Sequence, residues 1–171
     1  DNDNLGLYIS DSDHIHLSNS VSSTHALNVI TTQVFRDSSA WQHIAVAVDT
    51  TQGTAANRAK IYINGTQVTS LSTAAYPAQN YDTWVNSANP HFLGAFKASS
   101  NHFDGYLAEI NFIDGVAKAP TDFGETGDYG EWKPIAYAGS YGNKGWYLDF
   151  KSSGVGTAGS STIGADRSGN T

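Results

Sequence analysis

Asn64-Gly65 is the feature that most restricts how this chain can fold. It stands between two alternating runs in Lys60-Ile61-Tyr62-Ile63-Asn64-Gly65-Thr66-Gln67-Val68. A two-residue type I′ turn needs positive φ at both central positions, and Asn-Gly supplies it at least cost, so the segment reads as a β-hairpin. Successive strand side chains face opposite ways. Ile61 and Ile63 are therefore expected inside, with Tyr62 opposite. Asn64-Gly65-Thr66 also matches a glycosylation sequon, but the hairpin turn is the simpler account of it.

The rest of the chain carries strand patterns too. Leu5 to Ile9 and His14 to Leu17 alternate over short runs, and Val29 to Phe35 is rich in β-branched residues, which suit a half-buried pleated surface. Trp41 to Asp49 is the clearest strand, with Ile44, Val46 and Val48 on one face. Phe103 to Asp114 reads as another, placing Tyr106, Ala108, Ile110 and Phe112 on one face and Leu107, Glu109, Asn111 and Ile113 on the other. Lys144 to Phe150 is a last strand, presenting Trp146, Leu148 and Phe150 together. Thr51 to Asn57 reads as a loop, residues 70 to 90 as a long loop with at most one short strand, and Ala119 to Gly124 as a helical turn closed by glycine. No helix-period stretch exceeds a turn or two. Many short strands between turn signals predict an all-β fold, an antiparallel two-sheet jelly-roll sandwich.

The chain has 171 residues, which suits one domain. We expect a jelly-roll domain over residues 1–151 and a Gly/Ser/Thr-rich linker or tail over 152–171. The net charge is −7 and the nine Lys and Arg residues are scattered, so the basic stripe of a nucleic-acid binder is missing. No apolar run approaches the roughly 18 residues of a membrane span. With no cysteine there is neither a disulfide framework nor a thiolate metal site. Charged residues are only 15% of the chain, so its surface depends on Ser, Thr, Asn and Gln. The chain starts at Asp1 and holds no methionine, from which we expect a piece of a longer protein.

Trp41-Gln42-His43-Ile44-Ala45-Val46-Ala47-Val48-Asp49-Thr50, followed by Lys60 to Gly65, resembles the centre of laminin-G-like, concanavalin-A-like jelly-roll domains. Phe103-Asp104-Gly105-Tyr106-Leu107-Ala108-Glu109-Ile110, Asp114-Gly115 and Pro120 to Gly124 resemble the version found in structural proteins of tailed phages. Trp132-Lys133-Pro134, Tyr141 to Gly145 before Trp146 to Phe150, and Ile163 to Asn170 agree with it. The resemblance spans roughly residues 33 to 170. It implies two antiparallel sheets face to face and a non-catalytic virion component: a tail fibre, a receptor-binding element or a capsid decoration. Partners would be other virion chains or copies of itself, and a host-surface glycan, with no nucleic acid and no membrane insertion. The family usually opens with a further apolar strand that is not found before Asp1; either it belongs to missing sequence or a neighbouring chain supplies it. A cellular, secreted carbohydrate-binding module or adhesin is the alternative.

Sugar sites need an aromatic face and a few planar polar groups. Residues 76–91 supply Tyr76, Tyr81 and Trp84 with Asn80, Asp82, Asn86 and Asn89. The 129–147 region supplies Tyr129, Trp132, Tyr137, Tyr141 and Trp146. The candidate glycan-binding residues are Tyr81, Trp84, Asn86, Glu109 and Asn111, although aromatic residues more often fill cores. One glucanase family on this fold carries three carboxylates on one strand. Glu109 to Asp114 approaches that pattern, but Asn111 cannot ionise and Asp114 in Asp-Gly suits a turn. No catalytic residue is therefore assigned. No cofactor is required; Asp49, Asp82 and Asp104 are the calcium candidates, being hard oxygen ligands. His14 and His16, two apart beside Asp11 and Asp13, are a weaker divalent-ion candidate.

Overall fold

A computed structural model describes residues 4–86, 88, 90–97, 100–155 and 159–170, the side chains of Asn86, Lys97 and Ser100 excepted. Among the described residues all sheets are antiparallel, and the helices are three short 3₁₀ turns at Ala55–Asn57, Trp84–Asn86 and Pro120–Asp122. The chain divides into two interleaved units. The first comprises 1–103 and 119–135, the second 104–118 and 136–171.

The first unit is a two-sheet sandwich. One sheet runs β1 (Asn4–Ile9), β2 (His14–Val21), β3 (Thr24–Val34) and β7 (Leu71–Ala75), in that order. The other runs β4 (Ile44–Val48), β5 (Ala59–Ile63) and β6 (Thr66–Gln67). Ile15, Leu17, Leu27 and Val29 from the first sheet join Ala59, Ile61 and Ile63 from the second in one buried cluster. Ile44, Val46 and Val48 pack against it, so the face assigned to them from the sequence is the inner one. Fully burying each Ile, Leu and Val of the central cluster contributes about 1.5–3 kcal/mol.

The hairpin has the expected geometry. Asn64 (φ 47°) and Gly65 (φ 79°) both sit in the left-handed region, and Ile63 pairs with Thr66 across the turn. Ile61 and Ile63 are buried and Tyr62 is half-buried on the opposite face. Asn64 also limits β4. Its Oδ1 accepts the His43 N–H at 2.8 Å and its Nδ2 donates to Gln42 Oε1 at 3.0 Å. Residues 41–43 are thereby tied to the turn, and the strand expected from Trp41 begins at Ile44; Trp41 is exposed.

A register shift between His14 and His16 interrupts the β2–β3 ladder. The Ile15 N–H there donates to the fully buried Thr31 Oγ1 at 3.1 Å, and the Thr31 hydroxyl donates to Gln33 O at 2.8 Å. The buried donor is thus satisfied, as burial requires. At the edge of this sheet Leu7, Tyr8 and Ile9 of β1 are exposed, and Tyr8 stacks on His16 at 4.9 Å.

Two smaller hairpins complete the unit: β8 (Ala95–Lys97) with β9 (Ser100–His102), and β11 (Gly124–Thr126) with β12 (Trp132–Pro134). The Trp132 ring lies over Gly65 and Gly124, where any Cβ would overlap it, and 5.8 Å from the His43 ring. Burial holds the His43 pKa below its ordinary value. The 3₁₀ turn at Pro120 is stabilised by Asp122, whose carboxylate accepts the Ala119 N–H at 3.0 Å.

The second unit is built on β10 (Ile110–Phe112) and β13 (Trp146–Leu148). The long strand expected from Phe103 to Asp114 is therefore only three residues. Glu109 takes φ +51°, which breaks the extended alternation just before Ile110, and Tyr106 is 86% exposed. The last expected strand is shortened in the same way, with Phe150 at φ +53°. Downstream of residue 152, Asp166 bridges to Leu148 and Thr162 to Gly154.

Candidate functional site

Antiparallel pairing sets Asn111 opposite Tyr147, and Phe112 opposite Trp146. Directly opposed residues share a face. Asn111 and Tyr147 therefore lie together on one face of the β10–β13 pair. Ile110, Phe112, Trp146 and Leu148 lie on the other, with the Phe112 and Trp146 rings stacked at 5.6 Å.

On the polar face the side chains form a connected set. The Tyr141 hydroxyl donates to Asn111 Oδ1 at 2.8 Å, and Asn111 Nδ2 donates to the Glu109 carbonyl at 3.1 Å. The Tyr147 hydroxyl donates to the Glu109 carboxylate, whose other oxygen lies 3.7 Å from Lys151 Nζ. Tyr141 and Tyr147 stack at 6.1 Å, and Tyr137 meets Tyr141 edge-on at 5.1 Å. Lys118 Nζ stands 5.7 Å from the centre of the Tyr137 ring. The three tyrosines are half-buried and Glu109 is exposed. Burial, then the Glu109 hydrogen bond and charge, push the Tyr147 phenol well above its usual range; burial also leads the upward shift of Tyr141. Both phenols therefore stay protonated donors at neutral pH.

Loop 141–145 carries Tyr141 and is pinned from two directions. The Asp114 N–H donates to Tyr141 O at 2.9 Å, and the Asp114 carboxylate accepts the Lys144 N–H at 3.1 Å. Asp114 thus holds a turn, as its Asp-Gly context suggested. Asn170 Nδ2 donates to Gly142 O at 2.8 Å and to Gly145 O at 2.6 Å. Asp166 accepts the Tyr147 N–H at 2.9 Å and two bonds from Ser168. Burial alone would raise the Asp166 pKa, but the Ser168 and Tyr147 bonds outweigh it and lower it. The Asp166-Arg167-Ser168-Gly169-Asn170 stretch is thus a clamp on the segment bearing Tyr141 and Tyr147.

This arrangement offers ring surface, an amide, a carboxylate and phenol oxygens that retain acceptor lone pairs. Such groups can stack on the C–H face of a pyranose and bond its hydroxyls. Retaining glycoside hydrolysis needs a second carboxyl about 5–5.5 Å from the first. The groups bonded to Glu109 are a phenol and an ammonium.

The expected glycan residues divide between the units. Glu109 and Asn111 belong to the face just described. In the first unit, the Trp84 N–H donates to Oδ1 of the fully buried Asn19 at 2.9 Å, and the Trp84 and Tyr81 side chains are half-buried. The Asn86 side chain and Asn89 lie outside the described residues. Tyr81 follows a loop fixed from below, where the Arg58 guanidinium donates to the carbonyls of Pro77, Gln52 and Gly53. Sequence reasoning noted Tyr137 and Tyr141 as aromatic residues of a rich region and overlooked Tyr147. The signal that identifies Tyr147 is the pairing register, which sets it across from Asn111.

Among the described residues no group of three or more His, Asp or Glu side chains is arranged to hold a metal ion. Of the calcium candidates, Asp49 has its carboxylate engaged by Thr51 and Gln52, which lower its pKa. Asp82 is exposed in the first unit and Asp104 is exposed in the second. His14 and His16 do share a face of β2. Burial and the neighbouring His14 lower the His16 pKa, and Asp13 is paired with Arg36 at 2.7 Å.

A family model for concanavalin A-like lectins and glucanases matches residues 1–121. The match takes in Glu109 and Asn111 and stops short of Tyr137, Tyr141 and Tyr147. Comparison with curated proteins and comparison with solved structures each matched nothing. An antiparallel two-sheet sandwich, together with a family match across most of its length, places the chain in the concanavalin A-like lectin/glucanases superfamily, to which it belongs.

Proposed function

We propose that the chain is a non-catalytic binding domain whose ligand is a glycan, held on the face formed by Asn111, Tyr141, Tyr147 and Glu109. The observation that carries this reading is the half-buried tyrosine stack bonded to an amide and a single carboxylate. Fold alone does not choose among lectin, enzyme and structural roles; the chemistry of this face favours binding. On a glycan array, the full chain is expected to retain a defined set of sugars after chelation of divalent ions. Tyr141→Ala is expected to weaken the best of them by about 2 kcal/mol, roughly 30-fold. Tyr141→Phe keeps the ring, loses one hydrogen bond, and should cost about 1 kcal/mol. Silence of the unaltered chain across a broad array sinks the reading, as does full retention in Tyr141→Ala.

A second reading concerns where such a domain works. The ordered motifs between residues 33 and 170, and a surface poor in charge, support a virion structural component that meets copies of itself or other virion chains. The alternative setting is a cellular secreted module or adhesin. Mass spectrometry of purified particles from the source should detect this chain in stoichiometric amount. Particles free of it, alongside chain secreted from uninfected cells, end the virion reading.

A further inference from the structure

Among the described residues β1 is an edge of the four-stranded sheet. Its turn into β2 fixes which way its backbone faces. The Asp13 N–H donates to Ser10 O at 2.8 Å, the Ser10 N–H donates to His14 O at 2.9 Å, and Asp13 sits at φ 63°. Ser10 and His14 are therefore a hydrogen-bonded pair, and such pairs alternate along an antiparallel ladder. Gly6 and Tyr8 thus turn their backbone groups to β2, while Leu5, Leu7 and Ile9 turn theirs away from it. Among the described residues nothing bonds the outward N–H and C=O of Leu7 and Ile9.

Edge strands are ordinarily guarded by charge, by proline, by a bulge or by a covering element. From Asn4 to Ser10 there is no charged residue and no proline, and the β1–β2 register is unbroken. The opposite edge, β7, is mostly small and polar and carries a register shift against β3. β1 is apolar on both faces. Leu7 and Ile9 oppose the core residues Leu17 and Ile15 and so point to the inter-sheet side, yet they are 47% and 44% exposed. Tyr8, on the other face, is 45% exposed. The 3₁₀ turn Trp84–Asn86 lies at the Leu5 end, where Trp84 bonds Asn19, the residue opposite Leu5. The open part of the edge is therefore Leu7 to Ile9.

A two-fold axis through a strand edge brings each charge near its like, so a self-pairing strand must be its own complement. An uncharged strand meets that condition. We infer that β1 pairs antiparallel with β1 of a second copy, about a two-fold axis at Tyr8. Leu7 then exchanges backbone hydrogen bonds with the second copy's Ile9, and their side chains meet on the inner face. Tyr8 faces the second copy's Tyr8 as a non-hydrogen-bonded pair. One strand pair covers less than the roughly 800 Å² per partner of a stable complex, so the dimer dissociates in the micromolar range. The contact lies wholly in the first unit and does not depend on the tyrosine face.

Sedimentation velocity on the full chain at several concentrations should show a reversible monomer–dimer equilibrium. Tyr8→Lys sets two ammonium groups opposite each other and should weaken the dimer about tenfold or more. Tyr8→Glu should do the same. An equimolar mixture of the two variants should recover the dimer, because unlike charges then face each other; variants that had failed to fold could not give this result. Ser72→Lys, on the β7 edge, should leave the equilibrium unchanged. The chain has no cysteine, so Tyr8→Cys under mild oxidation should give one covalent dimer. The Cα spacing of a non-hydrogen-bonded pair, about 4.5 Å, is within disulfide reach. A chain that stays monomeric at every concentration overturns the inference. So does a dimer indifferent to Tyr8→Lys, or one that the mixture of Tyr8→Lys and Tyr8→Glu does not restore.

Discussion

Leu27→Ala is expected to destabilise the chain by about 2–5 kcal/mol. Leu27 is fully buried and belongs to β3, where it faces the cluster shared by both sheets. Truncation removes its transfer free energy and leaves a void that neighbours held by two sheets can close only in part. Native domains are stable by only about 5–15 kcal/mol, so the loss is a large share of the total. Urea unfolding followed by tryptophan fluorescence should show a lower midpoint at an unchanged slope. Leu7→Ala is the control. Leu7 is equally apolar but 47% exposed on the edge strand, and its loss should stay within about 0.5 kcal/mol. Equal effects of the two substitutions would mean that the inter-sheet cluster is not the stabilising core.

Gly145→Ala should be nearly as severe, through overpacking. Gly145 is buried in the second unit, and a Cβ there would overlap the carbonyl oxygens of Tyr141 and Phe112. These are backbone atoms, so no side-chain rotation relieves the conflict. The cost is expected at about 1–3 kcal/mol or somewhat more. The substitution also displaces the loop carrying Tyr141 and the Gly145 carbonyl that accepts the Asn170 amide. Hydrogen exchange should accelerate most at 110–112 and 146–148, and glycan retention should fall as for Tyr141→Ala. Gly115→Ala is the comparison: nothing approaches a Cβ there, so its cost comes only from positive φ. Unchanged exchange at 110–112 in Gly145→Ala would refute the steric argument.

Legibility from sequence followed the range of the interaction. The Asn64-Gly65 turn is local chemistry, and its register, φ values and inward isoleucines followed from four or five adjacent residues. The inner face of β4 was equally readable. The stretch 103–114 was misread because alternation states which residues could share a face, not whether a partner strand exists to pair with them. Here β13 offers only three residues, and Glu109 turns out of extended geometry just before them. β7 was nearly invisible because it is an edge strand of small and polar residues with little apolar signal. Glu109 and Asn111 could be nominated from residue type. Their tyrosine partners lie 30 and 38 residues along the chain, and only the β10–β13 register brings them together.

The interleaving of the two units also governs the order in which the chain can be completed. Residues 119–135 of the first unit leave the ribosome only after 104–118 of the second, and those wait in turn for 136–171. Neither unit is a contiguous stretch that can finish before the other begins. The closing contacts of both are distant in sequence, which slows folding relative to a chain of local contacts. A truncation ending anywhere from 104 to 133 removes the β13 segment and shortens or deletes the Trp132 hairpin. Tolerated breaks or insertions should therefore lie outside these crossings, in exposed turns of the contiguous stretch 4–103.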